Sequence, residues 1–188
     1  IDVIITDHHN VADQHPKAIA VINPKRKDHS YPYRDFAGVG VAFKLVQALM
    51  IELKGLDNGQ EKWLLDFVAL GTVCDIVPLS GENRMLVSYG LKVLKVSKRE
   101  GIKALIASSG IDLPNINTFD IGFKIGPRLN ATGRLKTARL ALDILLTKDL
   151  RSALDMAEEL NNLNNERKLI QEKILKQAEI EAEKQSDL

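Results

Sequence analysis

The segment Ile4-Ile5-Thr6-Asp7-His8-His9 constrains this chain more than any other. An apolar, β-branched run stops abruptly at one carboxylate and two imidazoles. In an open parallel sheet, ligands bind beyond the carboxyl ends of the strands. The run therefore predicts an α/β fold with metal-binding or proton-moving groups at its working edge. A second run, Gly71-Thr72-Val73-Cys74-Asp75-Ile76-Val77-Pro78-Leu79, sets one Asp among apolar residues. Burying a carboxylate is costly unless it is paired or bound to metal. The two segments together point to a metal site of mixed imidazole and carboxylate ligands.

With 188 residues, 45% hydrophobic and 27% charged, the chain can build one good core with an appended arm. No apolar stretch approaches the roughly 20 residues of a membrane helix. The first residues, Ile1-Asp2-Val3, carry neither Met nor a basic leader and read as the inside of a core strand, so the chain reads as a fragment or as a partly ordered chain. The single cysteine, Cys74, excludes an internal disulfide framework and fits a reducing cytoplasm. Charge is uneven. Residues 84–139 carry 11 basic and 3 acidic side chains, against 8 and 11 in residues 1–83. A basic stretch of this kind suits a polyanion. For Lys92, Lys95, Lys98 and Arg99 a solvated helix face is the competing account.

Periodicity predicts buried strands at 1–6 and 18–22, the second closed by Asn23-Pro24, and a loop over 23–37. A helix follows from about Val39 to Lys54, with Val41, Leu45, Ala48 and Leu49 on one face, stopped by Gly55. Further helices are expected from Gln60 toward Leu70, over 83–96, over 102–108 and over 137–146. Residues 110–135 read as irregular. From Leu150 to about Lys184 there is no Gly or Pro. Leu150, Leu154, Ala157, Leu160, Leu163, Ile170, Ile174 and Ala178 form one stripe along a rod of roughly 50 Å. Only its first half can fold back on a small core.

Asp7-His8-His9 places adjacent imidazoles on a turn, where they should point in different directions. One can bind metal while the other faces substrate, and Asp7 can orient a histidine through its second ring nitrogen. His15 and His29 lie in polar loops, where hydrogen bonding explains them. Imidazole plus carboxylate ligation suits manganese, magnesium, iron or zinc. One His and one Asp are too few for a catalytic ion. Gly126-Pro127-Arg128-Leu129-Asn130-Ala131-Thr132-Gly133-Arg134 reads as a turn flanked by arginines, whose planar forks suit phosphate. Ala37-Gly38-Val39-Gly40-Val41 could offer backbone N–H groups to phosphate, or could simply allow close helix packing.

Thr6-Asp7-His8-His9, Ala37-Gly38-Val39-Gly40-Val41-Ala42-Phe43-Lys44-Leu45, Gly71-Thr72-Val73-Cys74-Asp75-Ile76-Val77-Pro78-Leu79, Asn83-Arg84 and Gly126-Pro127-Arg128-Leu129-Asn130-Ala131-Thr132-Gly133-Arg134-Leu135 occur in the order found in the DHH phosphoesterase family. The likeness covers nearly the whole chain and is greatest to the family's bacterial single-strand-specific 5′→3′ DNA exonucleases. It implies a parallel-sheet DHH-type domain, in its helix-rich later part over residues 1–147, and a long interdomain helix over 148–188. It also implies a phosphodiesterase using two Mn2+ (or Mg2+) ions. His8 and Asp75 would be metal ligands, and His9, with Asp7, would be catalytic. Arg128, Asn130 and Arg134 would hold the DNA strand. Single-stranded DNA, a single-strand-binding protein and a helicase would be partners of a cytoplasmic monomer in DNA repair and recombination. The family's earlier acidic motifs would precede Ile1, so this chain alone should be inactive.

Two rival functions use the same residues differently. A small-substrate family member, cutting nanoRNA or cyclic dinucleotides, would lack the Gly-Pro-Arg segment. A non-catalytic scaffold for DNA or replication partners would not need His8, His9 and Asp75 intact.

Overall fold

Ile4–Thr6 (β1) and Ala20–Ile22 (β2) pair in parallel, Ile4 with Ala20, Ile5 with Val21 and Thr6 with Ile22. The structure, a computed structural model, describes residues 1–12, 16–135 and 137–186, with side chains except at 134, 135, 185 and 186. The strands lie where β-branched residues predict them but are shorter, and β1 is largely exposed, with Ile4 open to solvent. A two-stranded sheet has too little surface to bury both faces of a strand. The buried strand expected over 1–6 is thus corrected to a short, open one.

Eight helices follow among the described residues: α1 Gly38–Glu52, α2 Leu65–Cys74, α3 Gly81–Lys95, α4 Glu100–Ser108, the single turn α5 Thr118–Asp120, α6 Gly126–Leu135, α7 Arg139–Leu146 and α8 Leu150–Ser186. They fall into two units. Residues 1–97 with 116–122 form one, and residues 98–115 with 123–188 form the other.

In the first unit, α2 packs against α1 and α3. Phe43, Leu65 and Val68 form its buried centre, with Val39, Leu64, Leu86 and Val93 around them. Gly90 sets the α2–α3 approach. A methyl group there would lie 2.3 Å from the Leu65 carbonyl oxygen and 2.5 Å from Ala69 Cβ, distances no side chain tolerates. On α1, Gly40, Val41 and Phe43 are buried while Ala48 and Leu49 are exposed. The stripe expected through Ala48 and Leu49 therefore holds only at its N-terminal end, because the other elements of this unit cover only the first turns of α1.

In the second unit, the first half of α8 packs against α4, α6 and α7. Ala153, Ala157, Leu160, Leu163 and Asn164 are buried, but Leu150 and Leu154 are exposed. Small Ala side chains let the helices approach, so the covered stripe runs through Ala153 instead of Leu150 and Leu154. Beyond Asn164 no described residue of α8 is buried, as expected for a rod that outruns its core.

Residues 110–135 are not irregular. Asn117 caps α5, accepting from the Phe119 and Asp120 N–H groups, while Asp120 returns a bond to the Asn117 N–H at 3.2 Å. This reciprocal cap starts a helical path that runs through a π-helical stretch, Ile121–Ile125, into α6. Pro127 sits at the junction of the π-helical stretch with α6, so Gly126-Pro127-Arg128 continues a helical path instead of forming a turn.

Candidate metal and phosphate site

The β1–β2 ladder ends in one further bond, from Asp7 N–H to the Ile22 carbonyl at 3.0 Å. Asp7 leaves the strand there and folds its carboxylate back over the turn. Its Oδ1 accepts the His8 N–H at 2.8 Å, the His9 N–H at 3.2 Å and His9 Nδ1 at 2.8 Å. The hydrogen bond from the His9 ring, with those from the two backbone N–H groups, holds the Asp7 carboxyl below its ordinary value of 3.8. Because Nδ1 donates to a carboxylate, neutral His9 presents a lone pair on Nε2. Its side chain is 77% exposed, so that nitrogen is available as an acceptor or base.

His8 turns the other way, to a side-chain exposure of 17%, and its Nδ1 stands 3.4 Å from Asp75 Oδ2. That is too long for a good hydrogen bond. Two ligands about 2.1 Å from one ion, at right angles, sit about 3 Å apart, so the spacing fits donors that share a cation. Asp7, His8 and His9 also offer ligand atoms within 4.8 Å of one another. Asp7 Oδ1 already takes three donors, which makes His8 with Asp75 the better nucleus of a site. The rings of His8 and His9 stay close, their centroids 4.3 Å apart at 45°, yet they serve different partners.

Asp75 is not buried. It caps the C-terminus of α2 with its side chain 40% exposed, so the apolar setting read from its neighbours is corrected. Ile76, 89% exposed, takes φ of +59°, a left-handed conformation that a β-branched residue adopts only under strain. Its N–H bonds the Val73 carbonyl, closing the helix as glycine usually does. Cys74, next door, is pushed up to about 11 by burial and by the Asp75 charge, so it stays a thiol.

Two residues that sequence reading did not assign to the site hold the turn. Asn23, 6% exposed, donates from Nδ2 to the His9 carbonyl at 3.0 Å and accepts the Lys25 N–H at 2.9 Å. An Asn-Pro after a strand is the available signal, since Asn side chains build such turns. Gly38 opens α1 against the His8 ring, and a Cβ there would meet His8 Cδ2 at 3.2 Å. Glycine here thus leaves room for the His8 ring.

In the second unit Arg128 Nη1 donates to the Lys124 carbonyl at 2.7 Å and Nη2 to Asn161 Oδ1 at 2.9 Å. Burial lowers its basicity, and its Nε is buried with no partner among the described residues. Neither partner is an acid, so the cation keeps its full charge. Asn130 is exposed on α6. The Arg134 side chain and His15 lie outside the described residues.

Residues 1–72 match the DHH family, N-terminal domain. The chain is 42% identical over 178 residues to the single-stranded-DNA-specific exonuclease RecJ of Bacillus subtilis, covering 95% of this chain and 22% of that protein. The Escherichia coli RecJ is also 42% identical, over 181 residues, 92% of this chain and 31% of that one. Among solved structures, Thermus thermophilus RecJ in complex with Mn2+ superposes with a TM-score of 0.82 at 34% identity, covering 94% of this chain and 26% of that chain. The chain thus spans about a fifth to a third of the length of its curated relatives. No helix among the described residues is long and apolar enough to cross a membrane.

Proposed function

With residues 1–72 belonging to the N-terminal domain of the DHH family, we propose that this chain is part of a metal-dependent phosphodiesterase that degrades single-stranded DNA from its 5′ end, in DNA repair and recombination. The observation that carries the chemistry is the 3.4 Å approach of His8 Nδ1 to Asp75 Oδ2 beside an Asp7-braced His9. His8 and Asp75 hold a divalent cation, Mn2+ or Mg2+. When bound, a pair of such ions polarises the phosphate and lowers the pKa of an attacking water. Asp7 fixes the His9 ring through Nδ1, and His9 presents Nε2 to the scissile phosphate. Arg128, Asn130 and Arg134 hold the strand or its terminal phosphate. Residues 1–147 form the later part of the DHH domain and 148–188 the interdomain helix. The protein works as a cytoplasmic monomer, with a single-strand-binding protein and a helicase as partners.

The test is turnover by the full-length protein of single strands labelled at one end, with Mn2+. Release of 5′ label as the first product is expected, together with duplex left intact. Cleavage of dinucleotides but not longer strands would support the small-substrate reading. Binding of strands without any cleavage would support the scaffold. The 188 residues alone should show no turnover, because His8 and Asp75 supply two ligands where a six-coordinate ion needs more.

A further inference from the structure

The residue after Asp75 is strained. Ile76 is exposed, and its φ of +59° is one that a β-branched side chain holds only when its surroundings impose it. On one side the hold is its own N–H, bonded to the Val73 carbonyl at 3.2 Å. On the other side the chain is gripped at Pro78, and the grip comes from α3.

Asn83 lies in the first turn of α3 and is fully buried. Its Nδ2 donates to the Pro78 carbonyl at 3.0 Å and to the Asp35 carbonyl at 2.7 Å. Pro78 lies three residues after Asp75, and Asp35 three residues before Gly38, which stands against the His8 ring. Between Asp35 and Gly38, Phe36 and Ala37 are buried, so that path is fixed. One amide thus joins the segment that carries Asp75 to the segment that abuts His8. Tyr33 joins them a second time, its Oη donating to the Ser80 carbonyl at 2.9 Å, but that bond is exposed and competes with water. The Asn83 amide is buried, so without the two carbonyls its donors would go unmet. The amide also carries a cost, since its Oδ1 is buried with no partner among the described residues. An apolar side chain would fill the same space without that cost. What an apolar side chain could not do is grip two carbonyls.

We infer that Asn83 is a positioning residue: by gripping the Pro78 and Asp35 carbonyls it holds Asp75 and His8 at the spacing of a shared cation. The inference rests on the metal-site reading above. The grip on Pro78 keeps Ile76 left-handed and its bond to Val73 closed. With the amide gone, Ile76 relaxes toward an ordinary φ, that bond opens, and the last turn of α2, which carries Asp75, frays.

The experiment uses the full-length protein. It reads Mn2+ affinity by calorimetry beside urea stability, at a temperature where circular dichroism shows every variant folded. Asn83→Ala should weaken Mn2+ binding about ten- to a hundredfold, as losing an orienting partner of a ligand does. Leu94→Ala, at a buried position of the same helix, is the control: it should lower stability and leave Mn2+ affinity in place. Glycine enters the left-handed region freely, so a turn with Ile76→Gly needs no grip. Alone, Ile76→Gly should change the affinity little; added to Asn83→Ala, it should restore part of what was lost. Should Asn83→Ala not fold, Asn83→Ser, which keeps one donor, takes its place with a smaller loss of affinity. The inference is overturned if the Asn83 variant lowers stability without weakening Mn2+ binding, as Leu94→Ala does, or if Ile76→Gly restores nothing. A Mn2+ affinity that Asp75→Ala does not change removes the metal site itself. One that depends on Asp75 and not on Asn83 removes this inference and keeps the site.

Discussion

His8 with Asp75, and Arg128, are polar groups of comparable sequence prominence that the fold treats in opposite ways. The first pair stands 3.4 Å apart with no hydrogen bond closing it. Arg128 has two of its nitrogens committed to Lys124 and Asn161. A group whose bonding capacity is left open can be removed at little cost to the fold. A group whose bonds are spent inside the protein cannot. What each residue does for function and what it does for stability should therefore separate in the first unit and mix in the second.

The largest effect should come from the open pair. In the full-length protein, His8→Ala or Asp75→Ala should lower kcat by more than about a hundredfold, beyond what losing an orienting group costs. The melting temperature should change little for Asp75→Ala, whose side chain is 40% exposed, and somewhat more for His8→Ala, whose ring is 17% exposed and packed on Gly38. Equal losses of activity and stability would erase the contrast. For Arg128→Ala, losing the bonds to the Lys124 carbonyl and the Asn161 side chain should cost about 1–3 kcal/mol in urea unfolding, besides any loss of strand affinity. Arg128→Ala with unchanged stability would show that its internal bonds are incidental. The strand affinity that remains should fall with added salt.

Gly38→Ala sharpens the first half of the comparison. Alanine suits a helix better than glycine by up to about 1 kcal/mol, so stability should hold or rise. The new Cβ would press on the His8 ring from 3.2 Å, and Mn2+ affinity by calorimetry should fall several-fold. Unchanged affinity would mean that the ring yields without cost. The smallest effect concerns Asp7. Its carboxyl is held below 3.8 by the His9 bond, so the native state binds the proton later than the unfolded chain does. Its stabilising share is full above about pH 4 and is lost as pH falls through the lower native value. Wild type and Asp7→Asn should therefore converge in stability at low pH and diverge at neutral pH.

Much of this was readable in the residues, and the failures have a common cause. The β-branched run before Asp7 marked the strand, and the uninterrupted stretch after Leu150 marked the long helix. The apolar sequence neighbours of Asp75 suggest burial, yet its side chain is 40% exposed. Apolar neighbours face inward only if the element continues, and α2 stops there, leaving Ile76 in solvent. The Gly-Pro-Arg segment looked like a turn by composition, but the Asn117–Asp120 cap upstream had already committed the chain to a helical path. The roles of Asn23 and Gly38 depend on contacts 14 and 30 residues away. No periodicity reports such things.

The uncovered half of α8 has a mechanical consequence. Its 22 residues from 165 to 186 make an arm of about 33 Å, anchored at one end by Leu160, Leu163 and Asn164. An arm of that length magnifies. A rotation of about 10° at the anchor sweeps the tip through about 6 Å, more than a full helical turn of travel, while the packed residues at the pivot slide by well under the width of an atom. The direction of this arm is set by the fit of Ala153, Ala157, Leu160, Leu163 and Asn164 at its packed end.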